Sequence, residues 1–257
     1  MENNYLDILK PDDWHVHLRE GDILSHVLPF TYENFGSALI MPNLDNPITN
    51  IFLAETYYAE ICRQIPEDIN FTPHMTLYLT NCLTKDEIKE VSTHKYIKAI
   101  KMYPRGATTN SDSGISNVTE FYPLFEAMEK HEVILSIHGE VTDEKVDVFE
   151  REKVFIERVL TKIIYNFPNL RIVLEHITSA DAVKFVEKNK NLSATITNHH
   201  LMVNRNIMLS KGIRPDFYCA PILKKEYDRL ALVQAATSGN DKFFLGTDSA
   251  PHVNGKK

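Results

Sequence analysis

The sequence predicts an α/β protein built as a (β/α)8 TIM barrel, and three observations carry that expectation. Eight short β-rich runs recur along the 257 residues, longer stretches of helical pattern separate them, and no Gly-x-Gly-x-x-Gly turn follows the first run. Such alternation implies a parallel sheet, closed as a barrel or open and doubly wound. The missing glycine turn disfavours a nucleotide-binding open sheet.

The expected strands cover residues 13–17, 37–41, 75–79, 97–102, 133–138, 171–176, 193–196 and 243–246. Between them the clearest helix is 146–165, where Ile156, Val159, Leu160, Ile163 and Ile164 follow the i, i+3, i+4, i+7, i+8 stripe and Pro168 closes the pattern. Another spans 226–237 and stops before Gly239, where a left-handed cap costs least. Only nine residues follow Asp248, too few for a helix to cover the last strand. The barrel is therefore expected to be shortened at its C-terminus, with the last helix missing.

Hydrophobic residues make up 43% and charged residues 25%, ordinary for a globular protein, and nothing marks an internal linker. One domain over residues 1–257 is expected. No apolar stretch is long enough to span a bilayer, and the N-terminus lacks a basic region followed by an apolar one. The three cysteines, Cys62, Cys82 and Cys219, are odd in number and far apart. That argues against a disulfide framework or a cysteine-type zinc site, and for a reducing cytoplasm. A net charge of −7 makes nucleic acid and anionic membrane poor partners.

His15-Val16-His17 is the first chemical signal. Side chains alternate along a strand, so the two imidazoles share a face about 6.6 Å apart and can converge on one divalent ion. Arg19 keeps the same parity, and a cation there suits a small substrate carrying carboxylates. In a parallel barrel all strands deliver their C-terminal ends to one mouth. Those ends carry His15 and His17, Lys101, His138, His176 and Asp248. Singly, His138 and His176 also fit histidines that cap a strand, Asp248 a helix N-cap and Lys101 a solvated lysine. Six such residues on one rim favour ligation. Four histidines and an aspartate exceed the ligands of a single catalytic zinc, which points to two ions. An ammonium beside two cations would be repelled, so Lys101 must be neutral or modified; a carbamate formed with carbon dioxide would bridge the pair. The remaining histidines read as structural or surface residues. Even His199-His200 divides between opposite faces if that segment is extended.

These residues, with Met41-Pro-Asn43, Lys101-Met-Tyr-Pro104, Ala107-Thr-Thr-Asn110, His138-Gly-Glu-Val141, Glu175-His-Ile-Thr178 and Gly246-Thr-Asp-Ser-Ala-Pro-His252, resemble the amidohydrolases with binuclear centres, and among them the bacterial single-function dihydroorotases. The resemblance implies two Zn2+ ions per subunit. His15, His17 and Asp248 would hold one, His138 and His176 the other, with carbamylated Lys101 between them. It implies that Arg19, Asn43 and His252 bind the substrate carboxylate, that Thr108 and Thr109 lie on a loop closing over the substrate, and that the main chain of Ala220 contacts it. Asp248 would be the catalytic proton carrier. The implied reaction is the reversible closure of N-carbamoyl-L-aspartate to L-dihydroorotate in pyrimidine biosynthesis, by a homodimer.

Overall fold

The computed structural model describes residues 7–210 and 212–252. Eight parallel strands follow in sequence order: β1 (Asp12–Val16), β2 (Ser37–Ile40), β3 (Thr72–Tyr78), β4 (Ile97–Met102), β5 (Ile134–His138), β6 (Ile172–Glu175), β7 (Leu192–Ile196) and β8 (Phe243–Leu245). Each pairs with its successor. A parallel bridge between Val16 and Ser249 joins the two edges just past β8, with His17 N donating to Ser249 O at 2.9 Å and Asp248 N to His15 O at 2.8 Å. The barrel therefore closes, and all eight expected strands are present within a few residues of their expected ends.

The helices are α1 (Gly21–Asn34), α2 (Ile51–Arg63), α3 (Lys85–Thr93), α4 (Tyr122–Lys130), α5 (Arg151–Phe155), α6 (Thr161–Asn166), α7 (Ala180–Lys188), α8 (Asn198–Met202), α9 (Asn206–Leu209) and α10 (Glu226–Thr237). Their boundaries follow local chemistry. Thr84 and Glu87 form a capping box at the start of α3, and Asn50 and Ser179 accept from the first turns of α2 and α7. The helix expected over 146–165 begins instead at Arg151, and a π turn at Ile156–Leu160 divides it into α5 and α6. Asp147 accepts from Phe149 N and holds the preceding residues in a turn. Of the stripe, Ile156, Leu160 and Ile163 are buried, so the periodicity located the core face although not the start.

The core lies between the sheet and the helices. Leu24 and Leu28 of α1, Ile61 of α2, Ile88 of α3, Phe125 and Met128 of α4 and Val186 of α7 pack with Ile40, Leu77, Ile100, Leu135, Ile137 and Leu174 of the strands. Among the described residues no helix follows β8, and a cavity of about 640 Å³ runs along the outside of that seam, lined in part by Val27, Phe30, Phe35 and Pro251. Among the described residues no helix is long and apolar enough to cross a membrane.

Candidate active site

At the mouth of the barrel, His15 Nε2, His17 Nε2 and Asp248 Oδ1 form a triangle with sides of 3.2, 3.0 and 3.4 Å. Donor atoms held about 2.0–2.1 Å from one tetrahedral ion stand about 3.3 Å apart, so this triangle has the size of one face of such a coordination shell. The strand places it: residues 15 and 17 face the same way, and Asp248 turns in from the end of β8. His176 and His138 continue the cluster, with ring centroids 5.1 Å from His15 to His176 and 4.7 Å from His176 to His138.

Alternation along β6 would send His176 away from the face that carries Glu175. A left-handed backbone at His176 (φ 41°) turns the ring inward instead. Arg19 (φ 60°) and Asp248 (φ 50°) have the same conformation, which costs an L residue energy and concentrates here at expected functional positions.

Carboxylates behind the imidazoles set their tautomers. Glu175 Oε2 accepts from His15 Nδ1 at 2.9 Å and from the Thr195 hydroxyl at 2.6 Å. His15 thus keeps its Nε2 lone pair for the site. Glu140 Oε2 lies 3.0 Å from His138 Nε2, which leaves His138 Nδ1 as the nitrogen available for a ligand role. Asp13 accepts from His15 N, Thr247 N and the Thr247 hydroxyl, tying β1 to the segment that carries Asp248. Glu140, Glu175 and Asp13 were missed as site residues in the sequence. Glu175 and Glu140 each stand one or two positions from a candidate ligand histidine, and that proximity was the available signal.

Lys101 is fully buried, and its amine makes no hydrogen bond. Burial lowers its pKa to about 8, against the opposing pull of Glu175 and Asp248. A surface lysine fits neither fact. The amine lies 5.1 Å from the Tyr103 ring centre. Tyr103 was also missed, although it stands one residue past β4 and shares the parity of Lys101. Burial raises the Asp248 carboxyl, but His15, His17 and His176 outweigh it and hold that pKa well below the usual carboxylate range. Burial lowers His17 to about 4, so both its nitrogens are uncharged at neutral pH. An uncharged His17, an ionised carboxylate, a buried unpaired amine and ligand-sized spacings together fit a divalent metal centre.

A cavity of about 610 Å³ opens above this cluster, and its walls include every substrate residue expected from the sequence: Arg19, Asn43, Thr108, Thr109, Ala220 and His252. Arg19 is 9% exposed; its Nε donates to Pro251 O, and its Nη2 lies 3.4 Å from His252 Nε2. Asn43 is already engaged: its Oδ1 accepts from Tyr103 OH and its Nδ2 donates to Thr109 O. One Nδ2 hydrogen stays available, so Asn43 positions the loop as well as facing the cavity. That loop is folded on itself, with Ser111 bonded to Thr108 N and Thr108 O, and Asn110 hooks it to Asn43 O and Asp45. Gly114 is required there, since a Cβ would stand 2.6 Å from Tyr103 O. Arg105 is exposed on the loop.

His199 and His200 depart from the sequence reading. They sit on helix α8 rather than on an extended chain, and their ring centroids are 4.4 Å apart. Alternation does not apply on a helix, so the reason for separating them fails.

Comparison with known proteins follows the geometry. A sequence profile described as the amidohydrolase family matches residues 12–256. The chain is 54% identical over 248 residues to a dihydroorotase of Microcystis aeruginosa, covering 96% of this chain and 72% of that protein. It is 52% identical over 253 residues to a dihydroorotase of Methylobacillus flagellatus, covering 98% and 73%. The crystal structure of a Campylobacter jejuni dihydroorotase superposes with a TM-score of 0.90 at 36% identity, over 98% of this chain and 74% of that one. An L-hydantoinase from Arthrobacter aurescens, at 14% identity and a TM-score of 0.71 over 93% of this chain and 57% of that one, shares the fold alone. With relatives of that similarity spanning nearly its whole length, the chain belongs to the amidohydrolase family and, within it, to the dihydroorotases.

Proposed function

We propose that N-carbamoyl-L-aspartate is cyclised to L-dihydroorotate, and the dihydroorotate ring reopened, at a binuclear zinc centre. His15, His17 and Asp248 would hold one ion and His138 and His176 the other, with carbamylated Lys101 shared between them. The observation that carries this reading is the ligand triangle at 3.0–3.4 Å, together with the buried amine of Lys101 that no hydrogen bond satisfies. A neutral lysine amine adds carbon dioxide, forms an N–C bond and releases one proton, leaving a single negative charge shared by two oxygens where a cation would be repelled. Bound zinc supplies Lewis acidity and makes water ionisable near neutral pH.

The chain's own residues do the rest. Asp248, ionised and beside His15 and His17, takes a proton at its carboxylate during ring opening and returns it to the departing amide nitrogen. Arg19, Asn43 and His252 orient the substrate carboxylate; a guanidinium suits a planar anion. The loop over 104–115 walls the cavity and excludes water, which strengthens each of these charge interactions. A neutral hydantoin would leave the Arg19 guanidinium unmatched, and the hydantoinase likeness extends to fold only.

The family resemblance supports a cytoplasmic homodimer, whose stoichiometry sedimentation of the purified chain would read. The central test is metal analysis joined to a dihydroorotate ring-opening assay on the wild type and on Lys101→Ala. We expect two ions per chain in the wild type and loss of metal with activity in the variant. Full occupancy by both ions in Lys101→Ala would reject the bridge.

A further inference from the structure

His199, His200 and Cys219 form a second group of ligand atoms, all within 4.8 Å of one another. His200 is 3% exposed, and His199 and Cys219 line the substrate cavity together with Ala220 and Leu223. Cys219 Sγ lies 3.9 Å from His200 Nε2. A zinc ion bound at about 2.3 Å to sulfur and about 2.0–2.1 Å to nitrogen separates those donors by about 3.6 Å, so a shift of a few tenths of an ångström suffices for that pair, and His199, half-buried and within 4.8 Å of both, closes in by a side-chain rotation. The set contains one thiolate and two imidazoles and no carboxylate, which selects zinc or another thiophilic ion over magnesium or calcium.

We propose that His199, His200 and Cys219 form a further divalent-metal site on the wall of the substrate cavity, and that an ion held there competes with substrate. The local hydrogen bonds make it a reversible one. Thr197 Oγ1 accepts from His200 N at 3.2 Å and lies 2.6 Å from His200 Nδ1, while His200 Nε2 lies 3.1 Å from Pro221 O. In the free state the hydroxyl donates to Nδ1 and Nε2–H donates to the carbonyl. On binding, the imidazole proton moves to Nδ1, where the Thr197 oxygen accepts it, and the Nε2 lone pair is freed for the metal. The Cys219 thiol gives its proton to solvent as the S–metal bond forms, so one proton is released per ion. Two bonds to Pro221 O are lost on binding, from His200 Nε2–H and from the Cys219 thiol, each at 3.1 Å, and that weakens the site relative to the strand-borne centre. Three protein ligands leave a coordination position open toward the cavity, beside the Ala220 main chain that faces the substrate. Burial and the neighbouring His199 and Lys224 keep the His200 pKa well below its ordinary value, so a proton does not compete for it near neutrality.

The metal-binding half stands apart from the assignment of Lys101 and the two catalytic ions; only the competition half rests on this cavity being the substrate's. The holoenzyme, with its catalytic ions in place, is titrated with Co2+. A near-ultraviolet thiolate-to-cobalt charge-transfer band saturating at one ion per chain is expected, and the strand-borne cluster, which has no sulfur, cannot produce it. The band should vanish in Cys219→Ser and persist in Cys62→Ser and Cys82→Ser. Its absence from the wild type, or its survival in Cys219→Ser, overturns the site. A measurement that needs no variant is alkylation of the wild type followed by peptide mapping: zinc should slow labelling of Cys219, and an equal rate with and without zinc counts against the site. In steady-state assays, added zinc at ten times its Kd should raise the apparent KM for dihydroorotate about elevenfold with kcat unchanged. A fall in kcat at constant KM overturns the competition while leaving the binding result to stand on its own spectrum.

Discussion

Two groups of imidazoles face the mouth of this barrel, and they are held in different ways. His15 and His138, on strand ends, each have one nitrogen against a buried carboxylate, Glu175 and Glu140. His200, on a short helix, is held by a hydroxyl and a backbone carbonyl. A carboxylate fixes the tautomer and makes the other nitrogen a stronger ligand, whereas neutral partners let the proton change sides. On the two proposals above, the strand-borne group would suit resident ions and the helix-borne group an ion that comes and goes. The largest break in that contrast is Asp248→Asn, which removes a ligand charge and the proton carrier together. Steady-state ring opening should show kcat reduced about 10²–10⁴-fold. A loss of under about tenfold at full metal content would take the proton-transfer role away from Asp248.

Arg19→Met acts on the cavity rather than on the metals. Hydrogen bonds to charged groups contribute about 1.5–3 kcal/mol, so kcat/KM should fall about 10–150-fold, chiefly through KM, with metal content retained. An equal loss on a substrate whose carboxylate is esterified would show that Arg19 serves the fold and not the anion.

How far the sequence revealed this site depends on which residue is asked about. β4 matches its expected 97–102 span because β-branched and apolar residues fill it and Lys101-Met-Tyr103 ends it. His15 and His17 were legible because strand parity is a local rule. His176 was proposed from its strand-end position, and its inward aim depends on a left-handed backbone that no periodicity encodes. Glu175, Glu140 and Asp13 went unseen because their partners lie across the barrel or around a tight turn, and pairing across 160 residues, as for Glu175 with His15, leaves no trace in spacing. His199 and His200 were misread because five residues with a Thr cap are too short for a helical stripe to show.

Glu175→Gln sharpens the contrast from the other side by making the strand-borne group resemble the helix-borne one. Gln keeps the shape but brings a neutral acceptor to His15 Nδ1. Metal affinity should weaken about 10–100-fold, read by competition with a chelator, while the apparent fold stability changes little. Unchanged affinity would mean that the carboxylate behind His15 does not tune the ligand, and the distinction between the two groups would then rest on ligand count alone.

The smallest effect is expected from the loop. Thr109 reaches Asn43 through its main-chain carbonyl, and Ser111 and Asn110 hold the loop closed without the Thr109 side chain. Thr109→Ala therefore removes one hydroxyl and one methyl group from the cavity wall and leaves the main-chain anchor in place. One neutral hydrogen bond to substrate contributes about 1 kcal/mol, so kcat/KM should drop about fivefold with metal content unchanged. Ser111→Ala supplies the contrast, because it breaks the internal closure at Thr108 and should lower turnover further. If Thr109→Ala matches the wild type while Ser111→Ala does not, the loop contributes as an ordered wall that excludes water and not through a hydroxyl contact.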